Sequence, residues 1–387
     1  MKSIFAISAV LMLAASAASG AAEWPNIPAS PSGEATVWDP DPQWPRLGAS
    51  AVKEKDRAWE AESRWPIKPV AAEETTGSIG GAAWPAIAPP SAISAFAFEV
   101  GARYWYSNGK VRFAFRNGDP WFGDPTSTLD WSHARGHSGE VFGRLDHRPT
   151  GVFVKGVIGA GALHGGSIID RDFFVTQLEF SDTSSYVTGD GVHFGMVDLG
   201  WGFEVPGAGV RLGGFVGYHY WREKMSASGV ICNPDDVYGF FCGPPGVAVV
   251  GSTVPVFEYE PSWHALRVGL DARFQITPAW SFAGEVAFVP YAHLENKDSH
   301  LLRQDMSDLG PAPNVIARSK HGWGAEIEAF VNYAILPQVE IGVGGRYWAL
   351  ATGRGGVRFG PDFLADYDLT RFEHQRFGLL VQVKGRF

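Results

Sequence analysis

Two short spacings in the sequence could do chemistry. The stretch "SIIDRDFF" sets Asp170 and Asp172 two residues apart, and "NKDSH" sets Asp298 and His300 two apart. In extended chain, residues i and i+2 project to the same side. Each spacing therefore aims two side chains at one place. Two close carboxylates tend to share a proton, so they can hold a water and a carbonyl oxygen together. A histidine backed by a carboxylate serves as general base near neutral pH, with Asp298 orienting the His300 ring and stabilising its charged form. A water held between the two couples could attack a peptide carbonyl. Alone, either spacing is more often a solvated acidic turn. The chemistry needs a scaffold that brings two segments more than a hundred residues apart to one cleft.

The elements around them supply one. From about residue 93 the chain alternates with period two. In the final "FGLLVQVKGRF", Phe377, Leu379, Val381 and Val383 fall on one face, with Gln382, Lys384 and Arg386 on the other. "QVEIGVGGRYW" and "RVGLDARFQI" repeat the pattern, with Glu340, Arg346, Arg267, Asp271 and Arg273 opposite aliphatic residues. Charges at every second position suit the wet interior of a barrel whose other face meets lipid. Ten such segments are predicted: 94–107, 127–148, 151–168, 188–205, 209–226, 258–276, 279–295, 315–335, 338–352 and 370–387. Short connections ("HRPTG", "VPGAG", "ITPAW", "ILPQ") alternate with long ones at 108–126, 169–187, 227–257, 296–314 and 353–369. An even count closes an antiparallel sheet and leaves no edge for lipid to meet. The expected fold is all-β, a ten-stranded antiparallel transmembrane β-barrel of the bacterial outer membrane over 93–387. Asp170–Asp172 would follow the third strand and Asp298–His300 the seventh. Both pairs would lie on the extracellular rim, facing one another across the lumen. Asp130, Glu140, Arg144 and Asp146 on the second strand are expected to join a lumen ion-pair network.

The remainder of the chain differs in character. Residues 1–22 read as a secretory signal peptide: Lys2, a short apolar run, then small residues. No run of 18 apolar residues follows, so no transmembrane helix is expected. Residues 23–92 are rich in Pro, Ala, Ser and Glu, and "WP" recurs at Trp24, Trp44, Trp65 and Trp84. Such a composition cannot bury a core, and a mostly disordered extension is expected. Its repeats read either as a tether grown by duplication, which the composition favours, or as docking motifs for a periplasmic partner. The net charge of −9 argues against nucleic acid. Outside the cytoplasm, the two cysteines Cys232 and Cys242 are expected to form one local disulfide. No metal-ligand spacing is present, and no cofactor is expected.

Taken together, "STLDW" (127–131), "VIGAGALHGGSIIDRDFF" (157–174), "GGFVGYHYWRE" (213–223) and "NKDSH" (296–300) resemble the omptin family of outer-membrane endopeptidases. The resemblance covers about three quarters of the chain and leaves out the N-terminal repeats. It implies a catalytic site of Asp170, Asp172, Asp298 and His300 at the cell surface. It also implies a substrate pocket at Phe113 and Asn296, where the family carries acids for Arg or Lys. Asn and Phe cannot pair with a guanidinium, so a neutral or apolar residue before the cleaved bond is expected instead. The family needs lipopolysaccharide; Tyr218, Arg222 and Arg318 match parts of its binding cluster, while Tyr220 and Ser262 depart from it. Two rival readings stand beside the peptidase: a catalytically silent structural or adhesive barrel, and a small passive channel.

Overall fold

The computed structural model describes residues 95–233 and 246–387. The signal-peptide and Trp-Pro readings fall on residues outside this range, as does Cys242. Twelve strands form one sheet: β1 (Phe96–Arg116), β2 (Phe122–His147), β3 (Val152–His164), β4 (Ser167–Phe174), β5 (Glu179–Val205), β6 (Val210–Cys232), β7 (Ala248–Gln275), β8 (Trp280–His300), β9 (Val315–Leu336), β10 (Val339–Thr352), β11 (Gly356–Phe359) and β12 (Asp366–Arg386). Strand β1 pairs with both β2 and β12, which closes the sheet into a barrel. β3 and β4 run in line between β2 and β5, and β10 and β11 in line between β9 and β12. The barrel therefore has ten antiparallel staves. The break between β3 and β4 falls at Gly165 and Gly166, with φ of 63° and 107°. Only glycine takes these values at little cost.

Strand length exceeds what a bilayer needs. β2, β5 and β7 hold 26, 27 and 28 residues, whereas about 9–11 tilted residues cross the hydrocarbon. The surplus stands beyond the membrane, and the side-chain pattern inverts there. Near the short-turn end of β12, Leu379 and Val381 are 66% and 54% exposed, while Gln382 and Lys384 point inward at 4% and 3%. Near the long-loop end of β7, Val256, Phe257 and Tyr259 are buried inside, and Glu258 and Glu260 face out to Lys224 and Arg222. Below the change the outside is lipid, and above it the outside is water.

This inversion explains the strand ends. Apolar-out alternation alone predicts loops for the upper segments. The structure instead carries strand to Arg116, from Phe122, through Ser167–Phe174, to Cys232 and on to His300. Both acid pairs thus sit on strands rather than on rim loops. The short turns fall where expected, at 148–151, 206–209, 276–279 and 337–338. Cys232 ends β6 and is disulfide-bonded.

The membrane-level interior is filled. Arg346 bridges Glu140 and Glu328, Arg267 meets Glu326 at 3.2 Å, Arg144 meets Asp146 and Asp271 at 2.9 Å each, and Lys384 meets Glu99 and Glu340. Arg103 and Arg144 also lie 3.9 Å from the ring centres of Phe142 and Phe153, a favourable cation–π placement. Glu140, Arg144 and Asp146 belong to this network as expected. Asp130 does not: it pairs with Arg112 at 3.9 Å near the long-loop end, where both are partly exposed.

Candidate active site

Closure places the two acid pairs inside the barrel at its long-loop end. On β4, Asp170 lies in register with Leu129 of β2 and Thr183 of β5, and Asp172 with Ser127 and Ser181. On β8, Asp298 is in register with Tyr259 of β7, and His300 with Phe257. Leu129, Ser127, Tyr259 and Phe257 are all buried, so these registers turn all four candidate residues inward.

The histidine is held from three sides. Its Nε2 lies 3.3 Å from Asp298 Oδ2. Its backbone N–H donates to Asn314 Oδ1 at 2.9 Å, and Asn314 Nδ2 donates back to the His300 carbonyl at 3.2 Å. The Phe257 ring stands edge-on at 5.0 Å. Across the cleft, Ser127 hydrogen-bonds Asp172. Below, the Trp131 and Tyr259 rings meet at 5.3 Å, tilted by 32°, and Tyr259 Oη, Trp131 Nε1, Asn296 Oδ1 and Asp298 Oδ1 are buried without a protein hydrogen-bond partner.

Electrostatics tie the two sides together. Burial and then the Asp172 charge push the Asp170 carboxyl up to about 8, against an opposing pull from His300. Burial also raises Asp172, while its Ser127 hydrogen bond and the His300 charge oppose the rise. For His300, burial pulls down. The charge and hydrogen bond of Asp298 outweigh it and, with Asp170, lift the imidazole above its ordinary value. Each couple thus feels the other, as groups sharing one cleft must. Arg303, in the connection after β8, also acts on Asp170, Asp172 and His300, and is itself held by Asp308 at 2.7 Å.

The predicted pocket residues lie on the inner wall. Asn296 is buried on β8, two residues before Asp298, and Phe113 is buried on β1 against Phe115 and Phe372 at 5.9 and 6.2 Å. Between these strands run β9, β11 and β12, which contribute buried Val315, Ala317, Val357 and Leu369. The wall is apolar. The predicted lipopolysaccharide residues lie outside instead. Arg222, Ser262, Glu295 and Arg318 form one row in register across β6–β9. Each arginine there already has a carboxylate, Arg222 with Glu260 at 2.9 Å and Arg318 with Glu295 at 3.0 Å. Tyr218 Oη hydrogen-bonds His264 Nδ1 at 2.5 Å.

Sequence reasoning missed Ser127, Tyr259, Asn314 and Arg303. Ser127 opens the STLDW stretch, but nothing local says that it pairs with Asp172. Among the described residues, no three His, Cys, Asp or Glu side chains are grouped to hold a metal ion.

No protein-family model and no curated protein matches the chain. Among solved structures, the outer membrane protease OmpT from Escherichia coli superposes with a TM-score of 0.57 at 15% identity, covering 75% of this chain and 97% of that one. The barrel has the omptin fold. Looser likenesses are to Ail, the attachment invasion locus protein of Yersinia pestis (TM-score 0.25, 10% identity, 75% of this chain and 99% of that one), and to Neisserial surface protein A (0.23, 9%, 75% and 99%).

Proposed function

We propose that this chain is an outer-membrane endopeptidase whose cleft opens to the cell exterior and cleaves peptide bonds by activating water. The observation that carries the reading is the mutual electrostatic action of Asp170–Asp172 and Asp298–His300 across one inward-facing cleft. In its neutral form, His300 takes a proton from a water held between the couples. The water oxygen attacks the peptide carbonyl carbon. Asp170, which burial keeps protonated up to about pH 8, donates to the carbonyl oxygen as negative charge develops. Asp172, held by Ser127, positions the water. Asp298 stabilises the imidazolium, which passes its proton to the leaving amine as the C–N bond breaks. The apolar wall at Phe113 and the uncharged Asn296 favour a neutral or apolar residue before that bond. Membrane placement rests on the exposed apolar belt and the omptin fold.

The test is digestion of a peptide library by the purified protein in lipopolysaccharide, with His300→Ala in parallel. Cleavage by the parent and none by the variant is expected. Equal cleavage by both would sink the mechanism. No cleavage by a folded parent would leave the silent barrel as the reading.

A further inference from the structure

The connection from β1 to β2 reads Asn-Gly-Asp-Pro-Trp over 117–121, and that from β4 to β5 reads Val-Thr-Gln-Leu over 175–178. Neither joins the catalytic chemistry, yet both are rigidly built. Asp119 N–H donates to Asn117 Oδ1 and Trp121 N–H to Asp119 Oδ1, each at 2.9 Å. Asn and Asp side chains close such turns on backbone two residues on. Val175 N–H donates to the Trp121 carbonyl at 2.9 Å, and Gln177 Nε2 to the Asp124 carbonyl at 2.9 Å, so the two connections are tied together. Beneath them, Phe174 meets the rings of Phe180 at 4.1 Å and Phe122 at 6.1 Å. Thr176 and Gln177 take φ of 67° and 60°. Non-glycine residues avoid that region, a β-branched one above all, and such backbone persists where surrounding contacts over-determine it.

What this platform holds up is apolar. Trp121 is 76% exposed, Val175 46% and Leu178 37%. Single exposed apolar residues are ordinary, but three held together on one braced platform call for a partner. The strands beneath fix its place. The β2–β4 ladder that pairs Phe122 with Phe174 also pairs Ser127 with Asp172. Val175 follows Asp172 by three residues, a rise of about 10 Å in extended chain. A peptide lying extended from the cleft covers the same distance in about three residues.

We infer that Trp121, Val175 and Leu178 form an exosite that grips an aromatic or aliphatic side chain of the peptide substrate, about three or four residues from the scissile bond. The occupant rests on the peptidase reading, and the test keeps the two apart. The full-length His300→Ala protein in neutral detergent is titrated with fluorescent Gly-Ser peptides of about twelve residues. Each carries one fixed Leu and one Phe placed about one to six residues away on either side, and anisotropy reads binding. Affinity should peak on one side at a spacing of about three or four. It should exceed that at the shortest and longest spacings by about fivefold, the scale of one partly buried ring. Trp121→Ser/Val175→Ser should flatten the profile and lose about fivefold at its peak. Leu364→Ser, on the β11–β12 connection and 81% exposed, should stay within about twofold. These side chains are exposed, so each variant should fold, which a heat-modifiable gel band checks. The protein with His300 intact should cut the same peptides with kcat/KM following the same profile. The inference fails if the profile is flat, if the double variant keeps it, if the loss follows Leu364, or if no peptide binds. A dimer seen by light scattering and lost in the double variant would assign the patch to a second copy and overturn it too. A peaked profile without cleavage keeps the peptide site and sinks the peptidase reading; cleavage with a flat profile does the reverse.

Discussion

The two ends of this barrel are built from the same strands by opposite rules. In the membrane-level half, aliphatic residues such as Leu379 and Val381 face out, and the lumen holds paired charges around Arg346, Arg267 and Arg144. In the half beyond the girdle, aromatic and aliphatic residues turn in, and the ion pairs move to the outside. The lower interior pairs its carboxylates with cations. In the upper interior, Asp170 and Asp172 face each other and His300, without a guanidinium bonded to either. Burial then raises them and leaves a carboxyl able to donate a proton near neutral pH. On the proposed function, paired charges make the scaffold and underpaired ones the reactive site.

Five experiments would break or sharpen this contrast. The largest effect should come from His300→Ala, which removes the base and should lower peptide cleavage by about 10³-fold or more in steady-state assays. Its barrel should fold normally, since His300 lies at a strand end. The counterpart in the scaffold half is Arg346→Met. It leaves Glu140 and Glu328 buried beside Arg103 alone and should cost about 3 kcal/mol in a urea titration in lipid. Cleavage per folded molecule should be unchanged. If Arg346→Met abolishes activity in a stable barrel, the two halves are not separate in role. On the outer face, Leu379→Arg should cost about 2–3 kcal/mol in the same titration, and a neutral result would remove Leu379 from the lipid belt.

The smallest effects concern tuning. Cleavage should need His300 neutral and Asp170 protonated. Activity should therefore rise with pH through a limb above the ordinary histidine range, because Asp298 outweighs burial at His300. It should fall again near pH 8, where Asp170 ionises. These limbs belong to the coupled cluster rather than to single residues. A kcat/KM profile flat from pH 6 to 9 would contradict the assignment. Asn296→Asp should add a carboxylate to the pocket and raise cleavage after Lys or Arg by about tenfold relative to the parent, as a peptide-library comparison would read.

Much of the scaffold was legible in the sequence because lipid imposes a strict period-two rule. Val381 and Lys384 reveal their faces without any partner strand. The rule lapses beyond the membrane, where both surroundings and phase change, so β4 and the upper parts of β1, β6 and β7 read as loops. The site was half legible. Asp170, Asp172, Asp298 and His300 are marked by residue type and spacing. Ser127, Asn314, Tyr259 and Arg303 are not, because a serine or asparagine gains meaning only from the strand or connection that folds against it.

By itself, then, the sequence determined the period of the strands, the number of staves and the four candidate residues Asp170, Asp172, Asp298 and His300, since side-chain alternation and local spacing are properties of one strand. Tertiary structure decided that residues 170 and 300 act on each other, that the pocket wall is apolar, and that Arg222 and Arg318 are each paired with a carboxylate. Those depend on closure and register, which set distances between strands far apart in the chain and which no single segment encodes.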